Sequence, residues 1–371
     1  MNLSYWEYKS WLSHIDFTII GSGITGLSCA LQLRNKHPKA NILILEKGML
    51  PNGASTKNAG FACFGSISEI LDDLKRHTEQ EVIDLVTKRV QGLQLLRHSL
   101  GDDAIDYQQH GGFEYFLEKE EELYAKCLER QPYVNALLQS IFKDDVFATV
   151  SDAFGFKKVK NQAIYNRFEG QIDTGRMMEA LLKKAQAQHI KILNCCQVTD
   201  IEDTAGGVAV KTSHFDFKSD KVFIATNGFA ANLGIKDTKP ARAQVLITTP
   251  IKDLHIKGTF HLDEGYYYFR NIENRILFGG GRNLDFKAEE TTSLQQTPLI
   301  QDKLEEILKE VILPNHSFNI PHRWSGIMGV GDQKRPILKQ LSANVYCGVR
   351  LGGMGVAIGS LVGKELADQL D

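Results

Sequence analysis

Residues 21–26 read GSGITG, and their surroundings narrow what the chain can fold into more than any other stretch. DFTII (16–20) before them is a short apolar run that reads as a buried parallel strand. ITGLSCALQLRNKH (24–37) after them puts Ile24, Leu27, Ala30 and Leu31 on one helical face, with Pro38 just beyond. NILILEK (41–47) is a second buried strand, and its Glu46 follows Gly26 by twenty residues. A strand, G-x-G-x-x-G, a helix and a strand-end carboxylate together form the dinucleotide-binding fingerprint. Gly21 permits the tight turn, Gly23 lets a pyrophosphate approach the backbone, and Gly26 allows close helix–strand packing. Ser22 and Thr25 lie between them, where the helix N-terminus offers amide donors and partial positive charge. Glu46, with Lys47 beside it, can accept hydrogen bonds from an adenosine ribose. The fingerprint alone leaves NAD and FAD open.

ASTKNAGFACFG (54–65) begins eight residues after Glu46 and is built mostly from small residues. Such composition suits a tight surface loop or a segment that wraps a flat ligand. Ser55 and Thr56 offer hydroxyls to phosphate or ribityl groups, Asn58 an amide to a ring edge, and Ala59 and Gly60 a close backbone approach. A third small-residue element, RLGGMGVAIGS (350–360), precedes the last helix and brings Gly352, Gly353, Met354, Gly355 and Val356 to its N-terminus. A reduced flavin carries negative charge that such an N-terminus stabilises.

Between these elements the pattern predicts helices within 68–100, a strand over 111–117, and helices over 119–140 and 172–188. Short strands are predicted at 190–193, 197–202, 207–213 and 221–226. ARAQVLITTP (241–250), GYYYFR (265–270) and RILFGGG (275–281) alternate as in an antiparallel sheet. The expected fold is therefore α/β: a discontinuous Rossmann-type dinucleotide domain and a second domain of antiparallel sheet plus helices. The expected boundaries are 1–75, 172–236 and 322–371 for the first, and 76–171 with 237–321 for the second. At 371 residues, two domains are the ordinary outcome. The 43 Lys plus Arg and 45 Asp plus Glu give a formal charge of -2, which offers no footprint for nucleic acid or an anionic membrane. Six cysteines form no C-x-x-C and no zinc spacing, so no metal is expected. No apolar run is long enough to span a bilayer, and the N-terminus lacks a secretory pattern, so a cytoplasmic location is expected.

GSGITG, Glu46, GASTKNAGF (53–61), ATNGF (225–229), HRWSGIMGVGDQKRPIL (322–338) and the final glycine turn together resemble the D-amino-acid oxidase superfamily of FAD-dependent oxidoreductases. Glycine, sarcosine and gamma-glutamylputrescine oxidases belong to it, and the resemblance runs nearly the length of the chain. It implies FAD as cofactor and a substrate domain whose sheet covers the flavin. It also implies that Val198 contacts the adenine region through its backbone and that Thr226, Asn227 and Gly228 close the strand approaching FAD. The activity implied is hydride transfer from an amine carbon to flavin N5, giving an imine that water hydrolyses. The implied substrate is a small amine or amino acid.

The chain also departs from the family. WSGIM places Met328 where glycine oxidases carry a carboxylate-binding arginine. Arg350 lies close to a second family arginine, as a substrate ligand or as a flavin or ion-pair contact. Leu277 stands where sarcosine oxidases place an oxygen-activating lysine. Their covalent flavin cysteine has no counterpart in WSGIMGVGD, so a non-covalent FAD is expected. In YYYFR, either Tyr267 and Phe269 or Tyr266 and Tyr268 face the pocket; Tyr267, Trp324 and Met328 are taken as wall candidates beside Arg350. The alternatives are a dehydrogenase using an acceptor other than oxygen and an FAD-binding protein without turnover. Modification of a tRNA base and NAD-linked dehydrogenation are more distant ones.

Overall fold

The computed structural model describes residues 3–370. DFTII lies within the strand Ile15–Ile20, at the centre of an eight-stranded sheet. Ile42–Leu45 and Asp216–Ile224 flank it in parallel, Lys191–Leu193 and Val345–Val349 extend the parallel run, and Ile337–Ser342 closes one edge antiparallel. Both faces of Ile15–Ile20, Ile42–Leu45 and Val345–Val349 are covered, so these three strands are buried almost throughout without alternation. Phe17, Ile19, Ile42, Ile44 and Phe223 face one core with helices Ile24–Lys36 and Thr174–Ala187. Ile20, Leu43, Leu45, Val222 and Ile224 face another, shared with Val198, Val208 and Val210 of the antiparallel strands Val198–Thr204 and Gly207–Thr212.

A second eight-stranded sheet is antiparallel except where Thr259–Leu262 pairs in parallel with Gly112–Glu114. It runs from His322–Val330 through Lys239–Ile247, Arg275–Gly280, Tyr267–Ile272, Thr259–Leu262, Gly112–Glu114 and Gln162–Asn166 to Phe147–Ser151. One face is packed with Phe260, Tyr267, Phe269 and Phe278 under Ile300 and Leu304 of the helix Pro298–Ile307. The other face looks towards the first sheet.

The helices expected within 68–100 are Ile67–Asp73 and Glu79–Leu100, each opened by a capping box, Ser66 with Glu69 and Thr78 with Glu81. Strands Phe147–Ser151, Gln162–Asn166 and Thr259–Leu262 and the helix Pro298–Ile307 were not anticipated. Brevity is the reason for the third of them: TFHL is four residues long and all buried, so it shows no alternation. The segment His322–Val330 pairs along its whole length with Lys239–Ile247. A domain boundary at 322 therefore cuts through the second sheet, and this strand goes with 237–321.

The last helix, Gly355–Asp368, packs against both Ile24–Lys36 and Glu79–Leu100 at backbone distance. A Cβ on Gly363 would sit 2.4 Å from the Thr25 carbonyl oxygen, and one on Gly92 2.3 Å from that of Ala357. Gly363→Ala is therefore expected to destabilise by about 1–3 kcal/mol, against a helix-propensity gain of about 1 kcal/mol. Gly206, with nothing within 4 Å of a built Cβ, supplies the control. A lower urea midpoint for Gly363→Ala alone checks this.

Candidate functional site

A cavity of about 500 Å³ runs between the two sheets, and most of the small-residue segments meet on its wall. Gly21, Gly23 and Thr25 line it at the end of Ile15–Ile20, and Gly23 is the N-cap of Ile24–Lys36. No side chain of the helix caps itself there. Instead Ser55 crosses from the next loop, its Oγ accepting from the Ile24 amide at 3.0 Å. Gly26 does not line the cavity; a Cβ there would overlap the Gly21 carbonyl, so it serves the close strand–helix packing. Ser22 is buried behind the wall and donates from its amide (3.1 Å) and its hydroxyl (2.8 Å) to Oε2 of Glu46. Gly48 donates to the other carboxylate oxygen at 2.9 Å. Glu46 is thereby fixed on the lining as an acceptor. Lys47 lies beside it with Nζ 3.1 Å from the centre of the Phe229 ring, and burial lowers its pKa against the opposing pull of Glu46.

Ser55 and Ala59 line the cavity, as do Val198, Thr226, Asn227, Met328 and the run Gly352, Gly353, Met354, Gly355 and Val356. Gly352 (φ 59°) and Gly353 (φ 84°) take left-handed conformations that open the turn before the last helix, whose N-terminus has no side-chain cap. Asn227 holds this turn, its Oδ1 accepting from the Arg350 and Leu351 amides at 3.0 and 3.1 Å.

Several expected roles change. Thr56 donates to the Pro51 and Gly53 carbonyls (2.7 and 3.2 Å) and does not reach the cavity, so its hydroxyl shapes the loop. Asn58 lines the cavity, but its Nδ2 donates to the Ala54 and Ser55 carbonyls and its Oδ1 accepts from Gly60 and Thr174. It is a loop brace with no amide hydrogen left for a ring edge. Gly60 (φ 74°) lies off the lining, where a Cβ would meet the Ile172 carbonyl and Arg270. Gly228 is likewise a contact point, against the Met328 carbonyl. Tyr267 points the wrong way: it packs with Phe269 and Phe278 under the helix Pro298–Ile307, and strand alternation brings Tyr266 and Tyr268 to the cavity. Trp324 stands behind the wall, donating from Nε1 to the Lys57 carbonyl at 3.0 Å. The Arg350 guanidinium, too, is off the lining and occupied by the Arg335 and Asp237 carbonyls at 2.9 and 3.2 Å. Leu277 packs with Ala59 and Val245 in an apolar cluster.

The sequence reading missed Glu69, His261, Glu264 and Arg282, all on the lining, and of its two alternatives for YYYFR it is Tyr266 and Tyr268 that line the cavity. It also missed Arg270, which is 4% exposed and donates to the Ala59 and Ile172 carbonyls. Burial lowers the Arg270 pKa to about 10, which leaves it charged at neutral pH. Behind His261 lies a buried polar group. Its Nε2 is 3.5 Å from Oε2 of Glu169, an ion-pair contact without hydrogen-bond alignment. Burial alone would lower the His261 pKa, but Glu169, with Glu69 and Glu114, raises it to about 9. Glu114, which accepts from the Ser68 amide and hydroxyl, is pushed up to about 7 by burial.

The chain matches the FAD dependent oxidoreductase family over residues 16–369. It belongs to that family. It is 21% identical to "Probable oxidoreductase OrdL" of Haemophilus influenzae, over 97% of this chain and 83% of that one. Among solved structures, L-proline dehydrogenase from P. horikoshii superposes with a TM-score of 0.75 at 18% identity, covering 96% and 93% of the two chains. Glycine oxidase from Geobacillus kaustophilus does so at 0.73 and 18%, covering 95% and 94%. FAD is the family's cofactor, and the residues present fit it. Thr25 Oγ1 and Thr226 Oγ1 are buried without a hydrogen-bond partner among the described residues, and both residues line the cavity. Two helix N-termini whose N-cap residues supply no side-chain cap, and the fixed Glu46 acceptor, complete a donor and acceptor set suited to a dinucleotide.

Gly23 is the tightest point of this cradle, since a Cβ there would lie 2.8 Å from Ser55 Oγ. Gly23→Ala is expected to weaken FAD binding about tenfold or more, the scale of one displaced hydrogen-bonding group. Gly53→Ala, on the same lining with nothing within 4 Å of its Cβ, should leave it unchanged. Fluorescence titration of FAD into the apoprotein measures both.

The buried group sets a pH dependence. His261 has a folded pKa above its ordinary value of 6.5, so the stability it contributes is full below pH 6.5 and is lost as pH rises to about 9. Glu114 acts in the same direction lower down, losing its contribution between its ordinary 4.5 and about 7. The melting temperature is expected to fall between pH 6.5 and 9, and His261→Gln to flatten that limb.

Proposed function

We propose that the protein oxidises a C–N bond of a small amine or amino acid, producing an imine that hydrolyses in water. The observation that carries this reading is the joining, in one cavity, of the FAD-type cradle with a wall from the second sheet. That wall presents Tyr266, Tyr268, His261, Arg282 and Met328. Bound FAD supplies the two-electron acceptor. Ser55, Thr25, Thr226 and the amides at Gly23 and Gly355 would hold its polar groups, and Glu46 a ribose. The second sheet's side chains orient the substrate, and its aromatic residues limit water around the reacting carbon. Substrate bound as the free amine needs no side-chain base to release the hydride, and the proton remaining on nitrogen leaves to water.

The division of labour we propose follows the sheets. The segments 1–75, 172–236 and 331–371 serve the cofactor, while 76–171 and 237–330 serve the substrate. An electron acceptor other than oxygen is the second reading, favoured by Leu277, an apolar side chain packed against Ala59 and Val245 where the resemblance places an oxygen-activating lysine.

The visible spectrum of the FAD-loaded protein, followed anaerobically as amines and amino acids are added, tests the reading. Bleaching of the flavin band near ~450 nm by one substrate class is the expected result. Bleaching by none of a broad panel, with FAD retained, would count against turnover of a C–N bond. The rate of recolouring in air then separates oxygen from another acceptor.

A further inference from the structure

Met328 and the engaged Arg350 leave the cavity without a cation at either position where the family resemblance places one. Arg282 supplies a guanidinium from another element. Gly280 (φ 129°) and Gly281 (φ 78°) end the strand Arg275–Gly280 in a turn that only glycine adopts readily, and Arg282 emerges from it onto the cavity wall. Among the described residues, its guanidinium makes no hydrogen bond and no ion pair. Its centre lies 5.0 Å from that of the Phe286 ring, which itself meets Tyr266 edge-on at 5.8 Å. The aromatic contact steadies the side chain while leaving its five N–H donors unused.

Tyr268 lines the same wall from the neighbouring strand, and its hydroxyl also has no hydrogen-bond partner among the described residues. Burial pushes its pKa up to about 12, opposed by Arg282, so the phenol remains a donor at neutral pH. The carboxylates on the lining do not claim Arg282. Asp73 pairs with Lys334, Asp72 with Lys75, and Glu69 accepts from the Ser66 amide in its capping box. Among the described residues, Lys47, Lys57 and Arg76 also line the cavity without an ion pair, but Lys47 lies over the Phe229 ring and Lys57 in the loop at 53–61, both on the cofactor side, and Arg76 is exposed.

We propose that Arg282, assisted by the Tyr268 hydroxyl, binds the carboxylate of an amino-acid substrate. A planar guanidinium fork beside a phenol donor matches a carboxylate in shape and charge. The assignment rests on the function proposed above and names its substrate class: amino acids in preference to simple amines. Arg282 is a specificity residue that touches the substrate away from the reacting carbon.

The test uses the FAD-loaded protein, with benzoate as the carboxylate probe and benzamide as its uncharged counterpart, each read by perturbation of the flavin spectrum. Benzoate should bind the wild type more tightly than benzamide. Arg282→Met should weaken benzoate at least about tenfold while moving benzamide by less than about twofold, the size expected for a charged hydrogen bond. Arg282→Lys, which keeps the charge without the fork, should fall between, and it guards against a Met variant that fails to fold. Equal benzoate binding in wild type and Arg282→Met overturns the assignment, as does equal binding of the two probes to the wild type. A loss that follows Lys57→Met instead overturns it too. The two readings fail separately. If a carboxylate-free amine bleaches wild type and Arg282→Met alike, the oxidoreductase stands and Arg282 falls. If the benzoate preference follows Arg282 but no amine or amino acid bleaches the flavin, the carboxylate site stands and C–N oxidation falls.

Discussion

A single buried guanidinium ties the two halves of the site together. Arg270 springs from the second sheet, and besides a long contact to the neighbouring Asn271 carbonyl its guanidinium donates to the carbonyls of Ala59 and Ile172. Those residues belong to the small-residue loop and to the entry of the helix Thr174–Ala187, both parts of the cofactor side. No carboxylate pairs with it directly; backbone oxygens satisfy the charge, with Asp173 and Asp106 adding a longer-range pull. A buried charge satisfied in this way is costly to move, because any displacement leaves it unsolvated. The relative position of cradle and substrate wall is therefore fixed by electrostatics as well as by packing.

Close backbone approach is the second constraint. Gly26 against the Gly21 carbonyl, Gly228 against that of Met328, and Gly363 against that of Thr25 are contacts that any Cβ would prevent. They pull the first strand, the first long helix and the last helix into one layer, and they bring the turn at 352–353 to the mouth of the fingerprint. Ser22 and Thr56, off the cavity, and Asn58, on its lining, do similar work through hydrogen bonds, presenting Glu46 and Ser55.

The cofactor side was legible because its chemistry is written in backbone geometry. Glycines that permit a turn or a close approach can be read from spacing alone, and GSGITG, Glu46 and the final glycine turn lie together as their order in the chain suggests. The substrate wall was far less legible. Its residues come from short strands whose facing depends on a one-residue parity, and YYYFR offers no polar residue before Arg270 to fix that parity. Tyr267 was taken where Tyr266 and Tyr268 stand. His261 sits in a four-residue strand with no alternation, and the reach of Arg350 depended on two carbonyls that no local pattern announces. GGGRN did carry a signal, a glycine run ending in a cation, but nothing in its spacing said where the turn would aim it.

The cradle has its first donors near residue 23 and its last near residue 356, with the substrate wall between them. During synthesis the early strand, helix and loop leave the ribosome long before the closing helix exists. Tight cofactor capture thus waits on the turn at 352–356, because the first strand, helix and loop supply only one side of the pocket.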